Sequence, residues 1–295
     1  MSTTASQPAT AHGAHPVVVT RSAAASSRKA FAALILRDLV VLRKKLQEFV
    51  PRTVLQPFLL CFVFIYVFPT IGQGVGGGRG AAGESAFATI LVAGVVGLSI
   101  MFQGVQAVAL PMVQEFGYTK EIEDRVLAPL PVSLVALEKV AFGAVQGLIA
   151  AVIVFPIAAV VHASQVHINL QVHWLTLLTL MPLACVTCSA LGLTFGTFFD
   201  PRTVPLLFGI VILPMTFLGG TYYSWTTLAP VQVGSIHWLQ ILVLVNPLIY
   251  INEGFRAALT SAGHMSLLVI YPVLGAFCVF FLWTGIRGFT KRVIS

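Results

Sequence analysis

Charged residues are scarce in this chain. Only 9% of its 295 residues are Asp, Glu, Lys or Arg, whereas 57% are hydrophobic. A soluble domain carries roughly 25% charged residues, so this composition is too poor in charge to cover a water-soluble globule. The four cysteines are too few for a secreted module held together by disulfides. The composition therefore predicts a membrane protein.

Six stretches of the sequence contain no Asp, Glu, Lys or Arg. They are residues 53–72, 87–111, 140–161, 174–199, 204–223 and 267–286. A helix needs about 20 apolar residues to cross the hydrocarbon core, and a segment in lipid must satisfy its own backbone hydrogen bonds. The sequence therefore predicts an all-α, polytopic membrane protein with six transmembrane helices.

The basic residues are concentrated on one side of these six spans. All of the 17 Lys and Arg residues except Arg79 and Arg256 fall in the N-terminal arm, in the loops after the second and fourth spans, or in the C-terminal tail. By the positive-inside rule, both termini are predicted to be cytoplasmic. The expected location is the plasma membrane of a bacterial cell. No nucleic-acid partner is predicted, because no basic face is combined with aromatic residues for stacking.

The N-terminal arm divides into two parts. Residues 1–27 are rich in Ala, Ser and Thr, and they are predicted to be a disordered cytoplasmic tail, with a transit peptide as the alternative. Residues 28–50 place apolar residues at helical spacing opposite charged ones, which predicts an amphipathic interfacial helix on the inner leaflet. Packing of this helix on a soluble partner is the alternative. Pro51 is predicted to turn the chain into the first span.

Residues 224–252 are also free of charge, but Asn246-Pro247 interrupts them. A seventh span here would place the basic C-terminal tail outside, against the bias of the other basic residues. A short apolar segment that contains proline is more typical of a re-entrant or interfacial structure. We therefore predict a re-entrant segment on the outer side after the fifth span.

The chain lacks the groups that would power transport by itself. It contains no Gly-x-x-x-x-Gly-Lys-Ser/Thr motif for ATP, and the six charge-free stretches hold no titratable carboxylate or amine for ion coupling. Three amides within the spans, Gln103, Gln106 and Gln146, each need a partner or a wet cavity. They are predicted to line a substrate path, and interhelical hydrogen bonding is the alternative. No metal site is predicted.

Residues 114–131, in the loop after the second span, carry four of the ten acidic residues. Residues 113–139 are predicted to form a segment that couples the chain to a soluble partner, and a solvated loop helix is the alternative. The charged residues predicted to carry this coupling are Glu115, Glu121, Glu123 and Arg125, and the resemblance described next adds Gly117 and Pro129.

Two motifs resemble those of ABC-2 type transporter permeases. The first runs from Glu115-Phe116-Gly117 to Arg125-Val126-Leu127-Ala128-Pro129, and Tyr118 interrupts the usual Gly-Thr step. The second contains Asn246-Pro247-Leu248-Ile249-Tyr250 followed by Glu253-Gly254-Phe255-Arg256. The likeness extends over residues 28–292 and makes residues 51–295 the permease domain. It implies that the outer-side motif consists of Asn246, Pro247, Tyr250, Glu253 and Arg256.

The resemblance also implies a function and partners. It implies an exporter with two permease chains, identical or different, and two cytoplasmic ATP-binding subunits that hold ATP and Mg²⁺, so this chain needs no cofactor of its own. The mechanism would be alternating access, with residues 28–50 as the connecting helix. An amphipathic drug or lipid is the favoured substrate, because the spans offer Phe and Met side chains. The alternatives are a polysaccharide or glycolipid exporter and a membrane scaffold that moves nothing.

Overall fold

The computed structural model describes residues 23–73, 81–119, 131–200, 203–233 and 236–294. Regular structure in these ranges is helical, apart from one isolated antiparallel bridge between Val233 and Ile236. The helices in chain order are α1 (Ala23–Lys44), α2 (Leu46–Thr70), α3 (Ala81–Gln114), α4 (Val132–Val160), α5 (Trp174–Phe198), α6 (204–218), α7 (Trp238–Val243), α8 (Pro247–Leu259) and α9 (Leu267–Ile294). The predicted all-α class is confirmed for this part of the chain.

Five of the described helices are long and apolar enough to cross a membrane. They are α2, α3, α4, α5 and α9, with 25 to 36 residues in their apolar helical segments. Each one contains most or all of one charge-free stretch of the sequence. Five of the six predicted spans therefore correspond to helices of spanning length.

The predicted fifth span, residues 204–223, contains a shorter helix than expected. α6 consists of Val204–Leu207, a π-helical turn at Phe208–Ile212 and a last segment at Leu213–Leu218. Its length is about 22 Å at 1.5 Å per residue, whereas the hydrocarbon core is about 30 Å thick. The chain then turns at Gly220, whose φ of 69° is a left-handed conformation that glycine adopts without a steric penalty. The count of six spans is therefore not confirmed.

Helices α5 and α9 lie side by side and run in the same direction. Towards their starts, the hydroxyl oxygens of Thr179 and Tyr271 are 2.5 Å apart. Further along both helices, the hydroxyl oxygens of Thr194 and Thr284 are 3.2 Å apart. Because both helices point the same way, the chain between them returns from one end of the bundle to the other, and α6 begins this return.

Helix α3 lies at the centre of the bundle and contacts α2, α4, α5 and α8. Glycine allows the close crossing of α3 with α5. A Cβ added at Gly192 would lie 2.6 Å from the carbonyl oxygen of Val105 and 2.9 Å from its Cα. The backbones of the two helices therefore touch at this point, as small residues allow in packed membrane helices.

The N-terminal helices begin and end at other residues than predicted. α1 starts at Ala23, so residues 23–27 are helical, consistent with the high helix propensity of alanine; the rest of the predicted tail, residues 1–22, lies outside the described ranges. The break between α1 and α2 is at Lys45, which has a φ of −101° and a ψ of 19°. Pro51 lies inside α2. The predicted turn at Pro51 is therefore wrong, because this proline removes one backbone hydrogen bond near the start of α2 without ending it.

Several basic residues lie together at one end of the bundle. Lys45 and Lys139 lie at the end where α1 meets α2 and α4 begins. Arg292 of α9 lies at this end too, 4.7 Å above the ring of Phe116. We call this the basic end. At the opposite end, the backbone N–H of Ala163 donates to the carbonyl of Ile65 near the end of α2.

Candidate functional site

A cavity of about 400 Å³ opens at the basic end between α1, α2, α3 and α4. We call it the basic-end cavity. Its charged lining residues are Asp38, Lys45, Glu48, Arg52, Glu115 and Lys139. Its amides are Gln103, Gln106, Gln114 and Gln146, and its apolar lining includes Phe49, Leu110 and Phe142. The cavity therefore presents polar and apolar walls side by side.

Buried amides link three helices at the cavity wall. The Oγ1 of Thr53 on α2 donates to the Oε1 of Gln103 on α3 over 3.2 Å. The Nε2 of Gln103 donates in turn to the Oε1 of Gln146 on α4 over 2.9 Å. Gln103 and Gln146 are both buried, so each amide replaces lost water with a side-chain partner.

Arg52 of α2 is bound to the third predicted path amide. Its Nε donates to the Oε1 of Gln106 over 3.0 Å, and its Nη2 donates to the same oxygen. Arg52 is exposed and faces the cavity. The structure thus brings the three amides Gln103, Gln106 and Gln146 to one cavity.

A buried ion pair joins the end of α3 to the start of α4. The Nζ of Lys139 contacts the Oε1 of Glu115, and both side chains are buried. Glu138, the preceding residue of α4, is fully buried as well. Glu115, predicted to couple the chain to a partner, therefore lies in the cavity wall and not on an exposed surface.

The second motif forms a cluster of polar contacts inside the bundle, around α8. Glu253 and Arg256 are fully buried and ion-paired, with 2.7 Å between the Oε1 of Glu253 and the Nη1 of Arg256. The Oε1 of Glu253 also accepts from the backbone N–H of Trp225 over 2.7 Å, and its Oε2 accepts from that of Met265 over 2.8 Å. The Nη2 of Arg256 donates to the carbonyl of Gly220. We call this group of contacts the α8 clasp.

Three further residues of the motif fix the start and the middle of α8. Asn246 caps the helix, because its Oδ1 accepts from the backbone N–H of Leu248 over 3.0 Å. Pro247 occupies the first helical position, where proline is well tolerated. The hydroxyl of Tyr250 donates to the carbonyl of Leu244 over 3.0 Å. These contacts stay within the chain, so the motif acts here as an internal brace.

The burial of these pairs corrects one inference from the sequence. The chain was expected to have no buried titratable group, because the spans were defined as charge-free stretches. Glu115 and Lys139 lie just outside two of those stretches, and Glu253 and Arg256 lie between the fifth and the sixth. Both pairs are buried as ion pairs. Each charge in the interior is compensated by its partner in the ion pair. A search for charge-free stretches cannot find buried ion pairs of this kind.

The middle of the predicted coupling segment, residues 120–130, lies outside the described residues. Glu121, Glu123, Arg125 and Pro129 belong to that part, whereas Gly117 is exposed in the π-helical turn Glu115–Thr119 that follows α3. The described residues contain no group of three or more His, Cys, Asp or Glu that could hold a metal ion.

Sequence reasoning missed two basic residues of the cavity. Arg52 and Lys139 were counted only as signals of orientation, although each binds a side chain on another helix. One signal was present for Arg52. It directly precedes a charge-free stretch that begins at Thr53, so its side chain starts at the edge of the apolar region.

Comparisons with known proteins agree with this architecture. Residues 29–260 match the model of the family described as ABC-2 type transporter. The chain is 27% identical over 236 residues to the inner membrane transport permease YadH of Escherichia coli K12, covering 78% of this chain and 84% of the relative. The protein of the same name from Shigella flexneri is equally similar. The family match covers well over half of the chain, so this chain belongs to the ABC-2 type transporter family, as a multi-pass membrane permease whose ATPase is a separate subunit.

Proposed function

We propose that this chain is the permease of an exporter that takes an amphipathic drug or lipid from the cytoplasm or the inner leaflet. The observation that supports this substrate class is the mixed lining of the basic-end cavity, where an amide network and Arg52 lie beside Phe49 and Phe142. Pockets for drug-sized ligands have volumes of about 300–1,000 Å³, and the volume of this cavity falls in that range. A polysaccharide chain would need a longer groove.

The proposed orientation places the basic end in the cytoplasm, as the positive-inside rule expects. α6 and the turn after Gly220 would then complete a sixth crossing, since α5 and α9 run in parallel. Two permease chains and two ATP-binding subunits would form the transporter. ATP and Mg²⁺ would bind to the ATP-binding subunits, and their dimerisation would drive alternating access.

Replacing Gln103 and Gln146 together with leucine is expected to reduce transport several-fold with little loss of stability. The double change removes both partners of one buried hydrogen bond, and replacing both partners with apolar groups of similar shape is close to neutral for folding. The hydroxyl of Thr53 loses its acceptor Gln103, but a threonine within a helix can donate to the carbonyl one turn earlier. The substrate would nevertheless lose polar contacts in the cavity. The measurement is ATP-dependent uptake of a dye-labelled phospholipid or a lipophilic dye into inside-out vesicles.

Gln165→Leu serves as the control for this experiment. Gln165 also makes one hydrogen bond, to the carbonyl of Pro69, but it lies at the opposite end of the bundle. Uptake by this variant should stay close to that of the wild type. If the Gln103 and Gln146 double variant transports at the wild-type rate, the amides serve packing and not the substrate.

Reversing Glu121 and Glu123 to lysine is expected to weaken binding of the ATP-binding subunit at least tenfold. The two acids lie in the longest loop between predicted spans on the cytoplasmic side, and losing one partner of a close charge pair across an interface costs about 2–5 kcal/mol. The measurement is rebinding of the purified ATP-binding subunit to stripped inside-out vesicles. Right-side-out vesicles should bind none, which checks the proposed orientation.

Glu84→Lys is the matched control, because this acid lies in the first turn of α3, at the opposite end of the bundle. It should leave binding of the ATP-binding subunit unchanged. Wild-type binding and export by the double reversal would contradict the proposed coupling segment. Failure of any ATPase to co-purify with the wild-type chain would favour the scaffold alternative.

A further inference from the structure

We infer that Arg52 and Gln106 form a binding site for the anionic headgroup of an amphiphile, of the phosphate or sulfate type, in the wall of the basic-end cavity. The inference rests on the proposed function, because it treats this cavity as the place where a substrate enters. It adds a charge preference and two named recognition residues to that proposal.

The hydrogen bonds of Arg52 leave donors available to a ligand. Its Nε and Nη2 both donate to the single oxygen Oε1 of Gln106. The Nη1 of Arg52 therefore has no protein partner among the described residues. Because the Oε1 of Gln106 points at the guanidinium, the amide nitrogen of Gln106 points elsewhere, and it too lacks a protein partner within the described ranges. The Nη1 of Arg52 and the amide nitrogen of Gln106 are thus two donors that have no acceptor in the described part of the chain.

The charge of Arg52 is not compensated by a carboxylate in the described part of the chain. Glu115 is paired with Lys139, and Asp38 is paired with Arg37 over 2.9 Å. Glu48 lies one helical turn before Arg52 but is exposed at the cavity rim, outside ion-pair distance. Among the described residues, the positive charge of Arg52 in the cavity wall is therefore contacted by a neutral amide and by no carboxylate.

The shape of these groups favours phosphate or sulfate oxygens. A guanidinium offers parallel N–H donors in a fixed plane, which matches two oxygens of such an anion, and charge-assisted bonds of this kind are about twice as strong as neutral ones. Gln106 holds the guanidinium plane, so less side-chain freedom is lost when a ligand binds. Arg52 is exposed to the cavity, so a ligand can reach it.

Apolar side chains elsewhere in the cavity would contact the apolar part of the ligand. Phe49, Leu110 and Phe142 line the same space. Arg52 follows the α1–α2 break by two helical turns, at the edge of a charge-free stretch, and basic side chains near helix ends reach the interface of a bilayer. A headgroup bound at Arg52 would therefore keep its chain among apolar residues. A cationic headgroup would be repelled.

Binding of dodecyl phosphate to the full-length chain in a non-ionic detergent tests the inference. Native mass spectrometry gives the bound fraction and a Kd. Arg52→Gln should raise that Kd about tenfold or more, since a hydrogen bond to a charged group is worth about 1.5–3 kcal/mol. Arg52→Lys should give an intermediate Kd, because the charge stays but the planar fork is lost. Size-exclusion profiles matching the wild type would show that the variants fold.

Arg43→Gln is the control, because it removes the same charge from an exposed position of α1 that does not line the cavity. Its Kd should match that of the wild type. Dodecylphosphocholine, which has the same tail and no net charge, should bind more weakly than dodecyl phosphate. Inorganic phosphate should displace dodecyl phosphate only at a concentration at least tenfold higher.

Three results would overturn the inference. The first is an equal effect of Arg43→Gln and Arg52→Gln. The second is binding of dodecylphosphocholine as tight as that of dodecyl phosphate. The third is displacement of dodecyl phosphate by inorganic phosphate at a concentration equal to that of dodecyl phosphate. The last result would identify a site for a free anion. The assay contains no ATP and no ATPase, so its outcome is independent of whether the complex exports.

Discussion

Replacing Arg256 with alanine is expected to lower the free energy of unfolding by about 3–5 kcal/mol. The change would leave the carboxylate of Glu253 fully buried with only backbone N–H donors from Trp225 and Met265. It would also remove the donor to the carbonyl of Gly220, which ties α8 to the turn after α6. The measurement is the fraction of monodisperse protein that remains after heating in detergent.

Arg287→Ala provides the comparison for this variant. Arg287 is an exposed arginine of α9 that lies 5.5 Å above the ring of Trp283, and an exposed cation–π contact is worth about 0.5–1 kcal/mol. The double change Glu253→Gln with Arg256→Met should recover part of the stability, since it removes the uncompensated charge. Equal heat resistance of Arg256→Ala and Arg287→Ala would show that the α8 clasp does not stabilise the fold.

Replacing Gly192 with alanine is expected to cost about 1–3 kcal/mol, although alanine is the better helix former. The added Cβ would lie within 3 Å of two backbone atoms of Val105, its carbonyl oxygen and its Cα. Backbone atoms cannot turn away as a flexible side chain does, so α3 and α5 must separate. The same heating assay measures the loss.

Gly275→Ala is a matched control on α9. A Cβ at Gly275 meets no atom within 4 Å, so the change should be neutral or stabilising by up to about 1 kcal/mol through helix propensity. If both alanine variants behave alike, close approach at Gly192 is not needed for packing.

The sequence predicted the long helices well, because a helix that crosses the hydrocarbon core needs about 20 consecutive residues with few or no charges. It did not predict where the helix within residues 204–223 ends, because the absence of charge continues past the end of that helix. Gly219 and Gly220 turn the chain there, after Leu218. The composition of a segment shows that the segment is apolar, but it does not determine the residue at which the helix ends.

The candidate site was predictable only in part. The amides Gln103, Gln106 and Gln146 stand out in the sequence because each is polar within an apolar stretch, and the structure places all three at one cavity. Their partners are not visible in the sequence, since Arg52 and Gln106 are 54 residues apart. The same holds for the α8 clasp, whose acceptors include the carbonyl of Gly220, an atom that every residue carries.

The ion pair within α8 determines how this helix responds to the membrane potential. Moving one elementary charge across a potential of 100 mV is worth about 2.3 kcal/mol. The charged side chains of α8 are one acid and one base, Glu253 and Arg256, bound to each other. A translation of this helix as a unit therefore transfers no net charge through the electric field. A shift of α8 during transport would draw no work from the membrane potential.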